Sequence, residues 1–244
     1  MSSLSKEISE RSHVYTILTG DLVGSRKLSS EDLQKVILSM KDFWNRFSEF
    51  HPHHVIGGLE IFRGDGWQVA LQSPTLALVA AVFLRAVSKA CPLSLNTDSK
   101  VGIGIGVVET ILADNLGESQ GKAFEASGDA LEIASGSKIR WKLLSDQNEI
   151  SNLDSLVLPL LDLSVSSWSA SESIAVVGEI LDWNQEDTAV HAWALKKDGS
   201  SPSQQAIGDA LGRIHWKSHI QPVLEDTKAL LERIGYTTPE AYID

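Results

Sequence analysis

Along the first 150 residues the hydrophobic positions switch between two periods. Residues 14–18 form a short β-prone apolar run that stops at Thr19-Gly20-Asp21, which predicts a buried strand ending in a turn. Ser29 or Ser30 can cap a helix in which Leu33, Val36, Ile37, Met40, Phe43, Trp44 and Phe47 keep helical spacing to about Phe50. Residues 59–62 and 67–71 read as two strands around Arg63-Gly64-Asp65-Gly66, where Asp-Gly signals a hairpin. Pro74 opens a second helix to about Ala90, and residues 100–108 return to strict alternation. There Val101, Ile103, Ile105 and Val107 share one face, while Gly102, Gly104 and Gly106 leave the other nearly bare. Glycines inside a strand mark close approach of another backbone or of a ligand, and the sequence leaves both open. They do not form a dinucleotide fingerprint, which requires them between a strand and a helix start. A helix through Ala134 and a strand over 139–144 complete the order β-α-β-β-α-β-α-β. That order predicts an α+β sandwich of the ferredoxin-like kind over residues 1–150.

Beyond Asp146 the period becomes helical. Residues 153–163, 171–181, 187–195 and 204–234 predict an all-helical domain over 151–244, interrupted by polar breaks and the Asp198-Gly199-Ser200-Ser201-Pro202 turn.

Composition bounds what this fold can do. The chain has 244 residues, 43% of them hydrophobic, and a formal net charge of -11. Residues 1–150 carry -3 and residues 151–244 carry -8, so the acidity is concentrated in the helical part. A binder of duplex phosphates needs a basic face; this balance counts against one and leaves room for a small anion held through a metal ion. A single cysteine, Cys91, excludes an intrachain disulfide and a Cys-rich zinc site, and is expected to be buried near the end of the second helix. Residues 1–12 contain no apolar stretch of the secretory type. The longest apolar run, 76–84, falls far short of the roughly 18 residues of a spanning helix. The expectation is a cytoplasmic protein with no membrane contact.

The sharpest constellation joins Gly20-Asp21-Leu22-Val23-Gly24-Ser25 to Arg63-Gly64-Asp65-Gly66. If the first strand lies beside the hairpin, Asp21 and Asp65 converge. Two convergent carboxylates suit Mg2+ or Mn2+, which prefer oxygen ligands and share coordination with phosphates. The backbone of Leu22, Val23, Gly24 and Ser25, with the side chain of Arg26, would then meet the phosphate oxygens. The competing reading makes Asp21 and Asp65 ordinary turn formers, and Arg26, Arg63 and Lys122 solvated surface cations.

The order of these motifs resembles the catalytic domain of class III nucleotidyl cyclases, in which an Asp-(Ile/Leu)-Val-Gly segment ends the first strand and a Gly-Asp hairpin supplies a second metal-binding Asp. The segment Val101-Gly102-Ile103-Gly104-Ile105-Gly106-Val107 is similar to the family's glycine-bearing strand, and Gly128-Asp129-Ala130-Leu131-Glu132-Ile133-Ala134-Ser135 to its late helix. The resemblance spans residues 14–136. It implies that Asp21 and Asp65 bind metal, that a nucleotide or other phosphorylated small molecule is the ligand, and that the chain works as a homodimer. Where active members carry an Asn and an Arg on the late helix, this chain has Glu132 and Gly136, and where many carry an adenine-reading Lys it has Ile61. The Arg would stabilise charge on the transferring phosphoryl group; glycine has nothing with which to do so. The pattern also resembles the SatD family, a bacterial group joining such a region to a helical segment.

In the C-terminal part, residues 204–212 followed by 213–220 resemble the first helix and turn of a helix-turn-helix, with Gly208 at the helix contact and Gly212 in the turn. A recognition helix from about Trp216 would bring Lys217, Ser218, His219 and Gln221 to DNA. Pro222 is expected to interrupt it, and a helical packing unit is the alternative. His51, His53 and His54 are expected in a solvated loop. His215 and His219 have i, i+4 spacing but lack a further zinc ligand in sequence. The tryptophans, Trp168, Trp183, Trp193 and Trp216 among them, are expected to fill helical packing surfaces.

Overall fold

A computed structural model describes residues 14–90, 95, 97–145, 150, 153–194 and 202–236. Cys91, residues 1–12 and the Trp193 side chain lie outside the described residues. The fold is mixed α and β. In chain order its elements are β1 (Val14–Val23), α1 (Ser30–Phe50), β2 (Val55–Phe62), β3 (Gly66–Leu71), α2 (Ala77–Ala90), β4 (Asp98–Thr110), β5 (Gln120–Gly121), α3 (Lys122–Ser135) and β6 (Trp141–Ser145). Among the described residues five α-helices follow: α4 (Leu158–Ser167), α5 (Ala170–Ile180), α6 (Gln185–Ala194), α7 (Gln204–Arg213) and α8 (Gln221–Arg233).

The sheet runs β2-β3-β1-β4, antiparallel throughout, and beyond β4 pair the short antiparallel β5 and the parallel β6. One face carries Leu18, Trp67, Val69, Val101 and Ile103 into the main core with Trp44 and Phe47 of α1 and Phe83 of α2. The other face holds a small second core of Ile17, Ala70, Leu116 and Ala123. There the glycine stripe has its explanation. A Cβ on Gly102 would lie 2.2 Å from the carbonyl oxygen of Ser127, and one on Gly104 would lie 2.1 Å from that of Ala123. The approaching backbone is therefore helix α3, locked further by a 2.8 Å hydrogen bond between the Thr19 and Ser127 hydroxyls.

β1 does not turn at Thr19-Gly20-Asp21 as the sequence suggests. It continues to Val23, pairing Gly20 with Trp67 on β3 and Val101 on β4. Gly20 is the reason: the Trp67 indole fills its side-chain position, with ring carbons 2.1 Å from where a Cβ would stand. The residue that looked like a turn former makes room for a core ring.

Helix α2 is apolar on nearly every side, which is the signature of a buried helix, and all its residues except Val79 are buried. It packs on β4 and on α5 together, and one hydrophobic cluster continues from Val14 to Tyr236 across residue 150. Its polar residues need internal partners. Arg85, fully buried, donates through Nε and Nη2 to the two Asp98 oxygens at 3.0 and 2.9 Å, and through Nη1 to Asp162 of α4 at 2.7 Å. Arg140 also pairs with Asp98, and Lys89 stands 3.7 Å from it. Burial alone would raise the Asp98 carboxyl, but the Arg85 hydrogen bonds and the charges of Arg85, Arg140 and Lys89 outweigh it and hold it below its ordinary value.

Candidate functional site

Asp21 stands two residues before the end of β1, opposite Gly66 on one side and Lys100 on the other. Residues paired directly across antiparallel strands share a face, so Lys100 and Asp21 point the same way. The β2–β3 hairpin delivers Asp65 next to Gly66. Its left-handed residues are Arg63 (φ 52°) and Gly64 (φ 95°), not Asp65-Gly66. That shift puts Asp65 at the foot of β3, beside Asp21, with the Ser25 hydroxyl donating to its Oδ2.

The loop after β1 turns at Gly24 (φ 81°) into a 3₁₀ turn over Ser25–Lys27. A positive φ of that size favours glycine. Together β1, this loop and the hairpin wall a cleft of about 730 Å³ that is lined by Asp21, Leu22, Val23, Gly24, Ser25, Arg26 and Asp65, with Lys27, Arg63, Lys100 and Ser135 on its sides. Every residue assigned to metal and phosphate from the sequence is therefore in one place. Leu22 contributes its backbone only, since its side chain is in the core. Lys122 is elsewhere, paired with Glu125 at 2.7 Å.

The electrostatics of the cleft are those of an acidic pair only partly offset by the cations around it. Burial raises the Asp21 carboxyl above its ordinary value, the Asp65 charge raises it further, and Arg26 and Lys100 offset part of this. Lys100 is the residue that sequence reasoning missed. It occupies the glycine-lined face of β4 one step beyond the end of α3, and its ammonium donates to the Ala134 and Ser135 carbonyls at 3.0 and 2.6 Å. The signal was present in the alternation: Lys100 has the same parity as Gly102 and Gly104, and so the same face as Asp21. Glu132 is exposed on α3, and Gly136 follows that helix as its cap.

Among the described residues no group of three or more His, Cys, Asp and Glu side chains is arranged to hold a metal. Two carboxylates on an open cleft nevertheless fit Mg2+ or Mn2+, which keep several waters and complete their shells with phosphate oxygens.

The C-terminal candidates are less well placed. α7 extends through Gly212, and the chain turns instead at His215 (φ 54°). A π-helical turn over Trp216–Ile220 then runs directly into α8, so Pro222 lies in the first turn of that helix rather than interrupting it. Lys217, Ser218 and His219 are exposed and Gln221 half-buried, but the cations here face carboxylates: Arg213 pairs with Glu172 at 2.9 Å and Lys217 with Glu179 at 3.9 Å. Trp168 and Trp216 are buried against each other, ring centroids 6.5 Å apart.

His51 and His54 depart from the solvated loop expected of them. Both are half-buried against α8, whose Lys228 and Glu232 act on them, and only His53 is exposed. Burial, then the charges of His54 and Lys228, lower His51 to about 4.

No helix among the described residues is long and apolar enough to cross a membrane. No family model matches the chain, and no curated protein matches it.

Proposed function

We propose that the chain is a regulatory protein of the SatD kind whose N-terminal part is a divergent, ferredoxin-like nucleotidyl cyclase fold that binds a nucleotide or related phosphorylated ligand together with Mg2+ or Mn2+. The strand order β2-β3-β1-β4, with α1 and α2 on one face, supports the fold reading. The observation that carries the ligand reading is the meeting of Asp21 and Asp65 with the Val23–Ser25 backbone, Arg26 and Lys100 around one open cleft. Asp21 and Asp65 would hold the cation, which when bound offsets their charge and polarises phosphoryl oxygens. Arg26 and Lys100 supply the further positive charge that a polyphosphate needs, and Ser25 orients Asp65.

Calorimetric titration of each nucleoside triphosphate with Mn2+ is the test. The wild-type chain binds in a metal-dependent way and Asp21→Ala does not; binding that ignores Mn2+ or survives Asp21→Ala sinks the proposal.

An active cyclase is the second reading, and Lys100 is what favours it, because a fixed cation in the cleft partly replaces the arginine that Gly136 does not provide. Incubation with all four ribonucleoside triphosphates and Mn2+ would then yield a cyclic nucleotide and pyrophosphate; their absence removes this reading without touching the first. DNA is not among the proposed ligands, since Arg213 and Lys217 already stand opposite carboxylates.

A further inference from the structure

The cleft chemistry accounts for a phosphate-bearing end of a ligand and says nothing of the rest of it. The sheet beside the cleft does. Phe62 pairs with Gly66, Gly66 with Asp21 and Asp21 with Lys100, so these four residues form one row across β2, β3, β1 and β4 on one face. Gly66 has no side chain, and the Phe62 ring occupies the vacant space: a Cβ there would lie 2.7 Å from its Cε2 and 3.0 Å from its Cδ2 and Cζ. The ring thus leans from β2 over β3 toward β1. Strands are spaced by about 4.8 Å, which brings its edge to roughly one strand from Asp21.

Phe62 is nevertheless 37% exposed, whereas Trp67, the aromatic residue next along β3 and on the opposite face, is fully buried. The polar side chains beyond Phe62 on this face are committed elsewhere. Glu60 accepts from the Leu116 and Gly117 amides, and Gln68 donates to Thr19. What the face presents next to the acidic pair is a flat apolar ring.

We infer that Phe62 is a stacking platform for a planar ring of the ligand, which makes that ligand a nucleotide rather than an inorganic or sugar phosphate. The inference rests on the proposed function and adds the recognition of the base. Stacking of a base on an aromatic side chain is sequence-tolerant, which agrees with Ile61 standing where a base-specific lysine would be.

The test compares ATP, GTP and inorganic tripolyphosphate, each with Mn2+, on the full wild-type chain, Phe62→Ala and Phe62→Tyr. Phe62→Ala weakens both nucleoside triphosphates by roughly tenfold and leaves tripolyphosphate unchanged, and Phe62→Tyr restores nucleotide affinity. Equal loss for all three ligands, or loss for none, overturns the stacking role while leaving the phosphate site intact. Wild-type protein that binds none of the three overturns the proposed function and this inference with it. Because Phe62 is partly exposed, matching thermal melts of the three proteins separate a binding effect from misfolding.

Discussion

The behaviour of single residues here is set by what lies within a few ångströms of each. Gly102 and Gly104 are the clearest case, since helix α3 approaches so closely that a methyl group at either would overlap its backbone. Overpacking against side chains costs typically about 1–3 kcal/mol, and backbone yields less readily. Gly102→Ala is therefore expected to destabilise the chain by about 3 kcal/mol or more, read as a lower denaturant midpoint, whereas Gly128→Ala, with open space around it, leaves the midpoint nearly unchanged or raises it. His51 gives a pH-dependent counterpart. Its ordinary value is 6.5 and the folded chain lowers it to about 4, so between these values the unfolded chain binds more protons. The stability contributed by neutral His51 is present above about pH 6.5 and is lost as pH falls toward about 4. Melting temperature is expected to drop over that window, and to drop less steeply in His51→Phe. An equal slope in the two proteins would assign the acid sensitivity elsewhere.

At the scale of elements, the sequence made some features legible and concealed others for physical reasons. Convergence of Asp21 and Asp65 was readable because two motifs at strand ends have to meet once β1 lies beside the hairpin. The length of β1 was not, because Gly20 has the local signature of a turn and its cause, the Trp67 ring, is 47 residues away in sequence. The start of β2 was hidden in the same way: Gly57 and Gly58 lie at a bulge between Ile56 and Glu60, so only 59–62 looked like a strand. The glycine stripe of β4 was noticed, but the choice between ligand and backbone needed the position of α3. Lys100 went unmarked because its part in the cleft depends on register against β1 and on where α3 ends, and neither is local. In the C-terminal part the helices were legible from their period, while the turn at His215 and the π-helical start of the next helix were not, since glycine at 212 offered a more conventional stop. Cross-element electrostatics was invisible in the same sense: Arg85 looks like an interruption of an apolar helix until Asp98 and Asp162 are brought to it.

For the whole molecule, the continuous core and the Arg85 cluster tie the sheet region to the helices that follow residue 150. One cooperative unfolding transition is expected, with tryptophan fluorescence and far-ultraviolet circular dichroism coinciding; two resolved transitions would contradict this. Arg85→Ala removes the fully buried guanidinium that joins Asp98 to Asp162 and leaves Asp98 to Arg140 and Lys89 alone; breaking a buried pair costs up to about 3–5 kcal/mol, and the change is expected to lower the single transition rather than split it. The uneven charge along the chain also takes on a location. In the N-terminal part, the modest excess of acid includes the two aspartates of the cleft, facing Arg26, Lys100 and Arg63. In the C-terminal part, acidic residues meet Arg213 and Lys217, the second of which a DNA-reading helix would use.

The central claim is that Asp21 and Asp65 act on one shared cation in a phosphate-binding cleft. A double-mutant cycle in Mn2+-dependent nucleoside triphosphate affinity, measured on wild type, Asp21→Ala, Asp65→Ala and the double variant, tests it most directly. The account predicts that either single substitution removes nearly all metal-dependent affinity and that the double variant loses no more. Additive losses, or a single variant that binds as wild type does, would contradict it.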